Sequence, residues 1–311
     1  MLPEETLRRL SPKQGGRYID GTLGGGGHAA LLLEATAPDG QVLGIDADEA
    51  ALRRVRDRLA ESVADGRLLT RQGNFARMGE LARAASFAPV DGVLLDLGLS
   101  SDQLAARDRG FSFATDAPLD MRFDTSSGQP ASDLLNTLDE RELADLFWHN
   151  GEERHSRAIA RRIVKQRQTA PIQRTGELAS LVASVVHGRP GGIHPATRVF
   201  QALRIAVNDE LVSLAMALPQ ALELLRPGGR LAVISFHSLE DRIVKQFFQL
   251  KARGCVCPPE LPVCVCGRKP QMKIITRHPV TASGDELARN SRSRSAKLRV
   301  AERLPEEPEE P

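Results

Sequence analysis

The sequence predicts an α/β protein, a doubly wound parallel sheet interrupted by an inserted helical domain. Three observations predict it. Apolar segments that each end in an acid, closing at Asp20, Asp46 and Asp96, alternate with helical patterns, the rhythm of βαβ units. Four consecutive glycines, Gly24 to Gly27, stand between the first such segment and an Ala/Leu-rich helical pattern from Ala29. From about Leu104 to Thr197 the strand signal stops, and Arg226–Phe236 then restores it.

Met1 to Gly16 is an amphipathic lead-in carrying Leu2, Leu7 and Leu10. Tyr18-Ile19-Asp20 then reads as a strand, the glycines as a tight turn, and Ala29 to Ala35 as a helix. Glycine has no Cβ, so the backbone can bend sharply and a ligand can lie directly against it. The first N–H groups of the helix point at whatever occupies the turn. Strand, turn and helix in that order favour a nucleotide-type site over a glycine-rich surface loop.

Gly40–Asp46 is a second buried strand, Ala50–Leu59 an Arg-rich helix, Leu68–Asn74 a third strand and Asp91–Asp96 a fourth. Ligands of such sheets bind beyond the carboxyl ends of the strands, where the three acids would lie. Helical patterns follow at 131–138, 139–148, 156–168 and 175–186, and a long helix runs from about Ala202 to Leu225 before the last strand. The expected division is 1–103 and 198–303 for the sheet domain, 104–197 for the helical insert and 304–311 for a disordered acidic tail, because a Pro/Glu run cannot bury a core.

With 311 residues, 41% hydrophobic and 26% charged, the composition is that of an ordinary globular protein. No apolar run is long enough to span a bilayer, and Met1–Lys13 has no signal-peptide pattern. A cytoplasmic location is expected, with no membrane partner. The net charge of +2 hides twelve Lys/Arg against four Asp/Glu between Lys251 and Arg303. That stretch is a solvated surface or a phosphate-facing one, and composition alone leans to the former. All four cysteines fall in one segment, Cys255-Val-Cys257 and Cys264-Val-Cys266. They could close a four-thiolate zinc site, although each pair is one residue tighter than the usual C-x₂₋₄-C. A redox staple and four unbridged thiols remain alternatives.

The glycine segment formally fits the dinucleotide fingerprint, with Asp46 available to ribose hydroxyls. S-adenosylmethionine is held in the same way. No hydride chemistry is suggested nearby, the Arg226-Pro-Gly-Gly turn before a late strand is common in methyltransferase sheets, and no Gly-Lys-Ser/Thr follows for a P-loop. Longer matches narrow the choice. Asp20–His28, Leu94–Ser101, Arg109–Phe113, Pro118–Arg122, His194–Gln201, Ser235–Arg242 and Asn290–Ser295 together resemble the bacterial methyltransferases that modify the N4 amine of a cytidine in small-subunit ribosomal RNA. The resemblance covers nearly the whole chain in the family's order. It departs at the start, where the family opens with His-x-Pro-Val-Leu and this chain with Met1-Leu2-Pro3, so a shortened edge beside the cofactor is expected.

The resemblance implies a Rossmann-like class I methyltransferase sheet, a helical insert that helps hold the target base, small-subunit ribosomal RNA as partner, and a homodimer. It implies cofactor contacts from Gly26, Gly27 and His28, ribose binding by Asp46, Phe75 beside the adenine, and Asp96 and Gln103 completing the site. The N4 amine is a poor nucleophile, because its lone pair is delocalised into the ring. Catalysis should consist mainly of alignment and of acceptors for charge developing on the amine. Asp96 stands where such an acceptor is needed, although the Asp-Pro-Pro-aromatic motif of DNA amino-methyltransferases is replaced by Asp-Leu-Gly-Leu. His237 is a candidate proton acceptor, with a structural or base-orienting role as its alternative.

Phe111 and Phe113 are candidates to stack on the base, against a core role anchoring the insert. Asp120 and Glu240 read as further acids in family-like motifs, with capping or surface roles as alternatives. RNA contact is expected from cations: Arg154, Arg157, Arg161, Arg162 and Lys165 on one helix, where Glu152 and Glu153 also serve the dipole, and Arg289, Arg292, Arg294, Lys297 and Arg299 as a phosphate-binding group. The competing functions are a class I methyltransferase for another base or for protein, a non-catalytic RNA-binding assembly factor, and a nicotinamide dehydrogenase.

Overall fold

The computed structural model describes residues 1–100, 103–104, 108–187, 192, 194–258, 263 and 265–305. The chain forms two compact units, Met1–Gly98 with Leu211–Pro311, and Leu99–Glu210.

The first unit is built on one seven-stranded sheet: β1 (Arg17–Asp20), β2 (Gln41–Asp46), β3 (Leu68–Gln72), β4 (Val90–Asp96), β5 (Leu225–Ser235), β6 (Met272–Ile274) and β7 (Lys297–Arg303). Their spatial order is β3-β2-β1-β4-β5-β7-β6. The pairs β1–β2, β2–β3, β1–β4 and β4–β5 are parallel, whereas β7 runs antiparallel to both β5 and β6. The sheet is therefore mixed, not wholly parallel as the sequence reading has it. Both late strands lie in the stretch read for its charge.

Strand periodicity divides the core of this unit between the two faces of the sheet. Ile19, Leu43, Ile45, Val93, Leu95, Leu231 and Val233 pack on one face with Leu214, Leu218 and Leu222 of helix Glu210–Leu224 and Phe248 of helix Ser238–Ala252. Tyr18, Val42, Leu94, Ala232 and Ile234 pack on the other with Leu32 of helix Gly27–Ala35 and Leu52 and Val55 of helix Glu49–Arg58. Burial on both faces is why these strands read as near-continuous apolar runs. Chain order moves outward from β1 to β3 and returns on the other side at β4, so the switch point lies between β1 and β4.

The second unit is helical among its described residues. Helices Ala131–Thr137, Glu140–Gly151, Ser156–Arg167, Thr175–Val185 and Thr197–Val207 share a core of Leu135, Phe147, Ile159, Ile163, Leu178, Val182, Val199 and Leu203. Asp139 opens the second of them with a capping box, accepting from the Glu142 N–H at 2.8 Å while Glu142 accepts from the Asp139 N–H at 2.8 Å. The long helix expected from about Ala202 to Leu225 is two helices, parted at Asn208 and at Asp209, whose φ of 48° is left-handed. The Asn208 amide holds the break, accepting from Phe123 N at 2.7 Å and donating to Met121 O at 2.8 Å. Accordingly the division between units falls after Glu210, not after Thr197. Of the acidic tail only Leu304 and Pro305 are described, and the Leu304 N–H donates to Gln271 O at 2.9 Å.

Candidate active site

The glycine turn straddles the switch point. Past Asp20, the Gly21 N–H donates to Leu94 O of β4 at 2.9 Å and the Leu23 N–H to Ile45 O of β2 at 2.9 Å, so the turn is fastened to both neighbours of β1. Gly26, at φ 71°, forms the left-handed cap of helix Gly27–Ala35 and makes no side-chain cap hydrogen bond. A Cβ there would meet Val55 at 2.8 Å, whereas at Gly25 and Gly27 a Cβ would meet nothing within 4 Å. The turn is thus packed from behind at Gly26 and open at Gly25 and Gly27, a cradle that a ligand's backbone can enter.

Three carboxylates close the strands beside this cradle. Asp46 accepts from the Gly24 N–H at 2.7 Å and the Asp48 N–H at 2.9 Å; burial holds its carboxyl above the usual range, opposed by those two N–H groups. Asp20 is almost wholly buried. Burial, with Asp96 and Asp46 nearby, pushes its carboxyl up to about 6, against the pull of His28 and the Thr22 N–H. The Asp96 N–H donates to Thr22 Oγ1 at 2.6 Å. Asp96 Oδ2 lies 3.5 Å from His28 Nε2 and 3.3 Å from the Met1 amino nitrogen. Its other oxygen, Oδ1, is buried with no hydrogen-bond partner among the described residues. A buried acceptor left unpaired is costly and waits for a donor.

The structure brings Gly26, Gly27, His28, Asp46 and Asp96 together around this turn. Phe75 joins them from the short helix Phe75–Arg77, whose Asn74 cap accepts from the Ala76 N–H at 2.8 Å; its Cβ is 3.6 Å from the position a Gly21 Cβ would take. Asp20 and Thr22 belong to the same cluster, and the sequence reading leaves both out of the cofactor set. An acid closing β1 immediately before the glycines was the available signal. Gln103 lies in the second unit, where its Oε1 accepts from the Ser100 N–H at 3.0 Å. A cavity of about 540 Å³ lined by Lys245, Phe248, Met272, Arg277 and Arg299 opens elsewhere on the first unit, away from these residues.

The chain matches the model of the MraW methylase family over residues 1–304. It belongs to the MraW methylase family. Among curated MraW-type relatives, it is 59% identical to the ribosomal RNA small subunit methyltransferase H of Thermomicrobium roseum, covering 98% of this chain and 93% of that one. It is 55% identical to the protein of the same name in Syntrophotalea carbinolica, covering 98% of this chain and 97% of that one. The sheet of this family member is an α/β sheet with β7 inserted antiparallel beside β5.

The remaining candidates of this MraW member divide. His237 caps helix Ser238–Ala252: its Nδ1 accepts from the Glu240 N–H at 3.5 Å, its Nε2 stands 3.2 Å from Glu240 Oε1, and Glu240 Oε2 accepts from the Phe236 N–H at 2.8 Å. These contacts give His237 and the buried Glu240 a helix-capping role, while His237 Nε2 is buried with no hydrogen-bond partner among the described residues. Asp120 grips Arg122 through both oxygens, at 2.9 and 2.8 Å, which holds its carboxyl below the usual range despite its partial burial. Phe111 is buried in the second unit's core, 5.7 Å from the Phe123 ring, so the anchoring role prevails there. Phe113 is half-buried and its ring lies 4.6 Å from that of exposed His194.

The cations divide too. Arg299 is buried and donates to Asp241 at 2.6 and 3.2 Å, with Lys297 at 3.6 Å from the same carboxylate; both belong to β7 and are spent on the fold. Arg292 and Arg294 are exposed on the short helix Ser291–Ser295. Arg157, Arg161, Arg162 and Lys165 are exposed on helix Ser156–Arg167, opposite its buried Ile159, Ala160 and Ile163, with Arg154 exposed just before it. Of the cysteines, Cys255, Cys257 and Cys266 are described and clustered, while Cys264 lies outside the described residues. No described helix is long and apolar enough to cross a membrane.

Proposed function

We propose that this chain transfers a methyl group from S-adenosylmethionine to the N4 amine of a cytidine in small-subunit ribosomal RNA. Membership of the MraW methylase family and the names of its relatives support the reaction class and the RNA. The observation that carries the site assignment is the unpaired buried Oδ1 of Asp96 beside the open glycine turn. The cofactor, when bound, supplies an electrophilic methyl on a sulfonium.

Gly25 and Gly27 leave room for the cofactor's chain, the uncapped helix start and the acids supply donors and acceptors, and Asp46 takes the ribose hydroxyls with its remaining lone pairs. Phe75 provides an apolar wall for the adenine. Asp96 accepts an N–H of the substrate amine and so turns the nitrogen lone pair toward the methyl while stabilising the positive charge that develops. His28 and Thr22 hold Asp96 in place from either side. In the second unit, Phe113 with His194 offers the aromatic face that a base acted on by an enzyme requires. Gln103 belongs to this proposal by resemblance alone, as does the homodimer. The exposed Arg292, Arg294 and Ser156–Arg167 helix cations supply phosphate contacts.

Small subunits lacking the modification are incubated with the protein and methyl-labelled cofactor, and the RNA is mapped by mass spectrometry. One methyl on the exocyclic nitrogen of a cytidine is the expected product. Label on another base or on protein refutes the substrate assignment. Asp96→Asn should lower turnover by about a hundredfold with a smaller change in cofactor affinity, and retention of both would remove Asp96 from the mechanism.

A further inference from the structure

We propose that Cys255, Cys257 and Cys266 hold one zinc ion in a structural site separate from the glycine turn. The ligand sulfurs of the three residues all lie within 4.8 Å of one another. Cys255 Sγ and Cys266 Sγ are 3.8 Å apart. A disulfide needs about 2.0 Å, so this pair is not bonded. A tetrahedron of thiolates with metal–sulfur bonds of about 2.3 Å has edges of about 3.8 Å, which is the separation observed. The Cys257 N–H also donates to Cys255 Sγ at 3.3 Å, the bond that a C-x-C turn makes when it presents both sulfurs to one side and that stabilises a thiolate.

The surrounding segment has no buried core among its described residues. Between Phe248 and Met272 no described residue is buried. The apolar side chains that a core would use are turned outward, with Val256, Val263 and Val265 at 47%, 69% and 77% exposure. The base of the loop is tied down by the Gln271 N–H on Lys251 O at 2.8 Å, by Lys251 Nζ on Gln271 Oε1 at 2.8 Å and by Arg268 on Leu250 O at 3.1 Å. A piece of chain too small for its own core is stabilised by a metal or a covalent staple, and the sulfur separation here fits the metal. Three soft donors select zinc over calcium or magnesium. Binding deprotonates the thiols, and Lys251, Arg253, Arg268 and Lys269 in the same segment offset the negative charge so created. The metal thereby holds this cationic segment, including Arg253 and Arg268, in one conformation.

The test uses the full chain, expressed with zinc in the medium and purified reduced and without chelator. Elemental analysis should find about one zinc per chain. After exchange, cobalt(II) should give intense thiolate-to-metal charge-transfer absorption and the visible bands of a tetrahedral ion. Cys257→Ser and Cys266→Ser should each lose the metal and the charge-transfer band. Trypsin should then cut at Arg253 and Arg268 sooner than in the zinc-loaded protein, with the thermal transition of the sheet unit still present. A reduced wild-type chain that retains no zinc after addition and dialysis overturns the proposal. So does zinc retention unchanged in both variants, or recovery of the cysteines as disulfides from a reducing preparation.

Discussion

The backbone N–H of Asp96 donates to Thr22 Oγ1 over 2.6 Å, joining the end of β4 to the turn that follows β1. One side-chain oxygen thus sets the spacing between the carboxylate proposed to hold the amine and the loop proposed to hold the cofactor. Thr22→Val keeps the shape and removes the acceptor. We expect a loss of about 1–2 kcal/mol in urea unfolding, the cost of an unpaired buried N–H. Cofactor affinity measured by calorimetry should fall with it.

Gly27 tests the cradle independently of stability. A Cβ at this position meets nothing within 4 Å and sits at the first turn of helix Gly27–Ala35. Gly27→Ala should leave unfolding within about 0.5 kcal/mol of the wild type or raise stability slightly. Cofactor affinity should nevertheless fall by about tenfold or more, because the methyl group occupies space the ligand needs. Gly26→Ala is the contrasting case: φ is 71° and Val55 stands 2.8 Å from the new Cβ, so it should destabilise the protein even without cofactor.

Asp20 gives the ligand-free protein a pH dependence of defined sign. Its carboxyl is raised from 3.8 to about 6, chiefly by burial. Because the folded state holds the proton more tightly than the unfolded chain, the associated stability is complete below about pH 4 and is lost as pH rises through about 6. The shift corresponds to about 3 kcal/mol at most. Other carboxylates titrate in the opposite sense, Asp241 among them, so the measurement is the difference in unfolding free energy between wild type and Asp20→Asn across a pH series. That difference should decline between about pH 4 and 6 and stay flat above about 7. The bound cofactor's positive charge favours ionised Asp20, so its affinity should rise with pH over the same interval.

Two groups of arginines close in sequence should behave differently. Arg299 is buried on Asp241, and Arg299→Met should cost about 2–3 kcal/mol, moderated by Lys297 as a second partner of that carboxylate. Its effect on the salt dependence of RNA binding should be small. Arg292→Gln and Arg294→Gln should leave unfolding unchanged, weaken RNA binding, and each reduce the slope of log affinity against log salt by about one. A flat salt response in the wild type removes the phosphate-binding role.

The sequence by itself determined the parts whose information is local. Alternation of apolar strands with helical patterns specified β1 to β5, and the acid closing each strand before a turn marked Asp20, Asp46 and Asp96, because strand ends and glycine turns are written in adjacent residues. The stretch from Gly24 to His28 was legible for the same reason.

Only the tertiary structure decided the rest. β6 is three residues long and β7 carries Lys297, Arg299 and Arg303 among its apolar positions, so charge hid the strand pattern. Arg299 is neutralised by an acid on a helix distant in the chain, and Phe111 is claimed by a core to which Phe123 contributes. His237 and Glu240 are drawn into a helix cap, and Cys255 meets Cys266 across a loop. Whether a charge, a ring or a thiol is spent on the fold or left for chemistry depends on which partner the folded chain brings to it, and residue type alone carries no record of that partner.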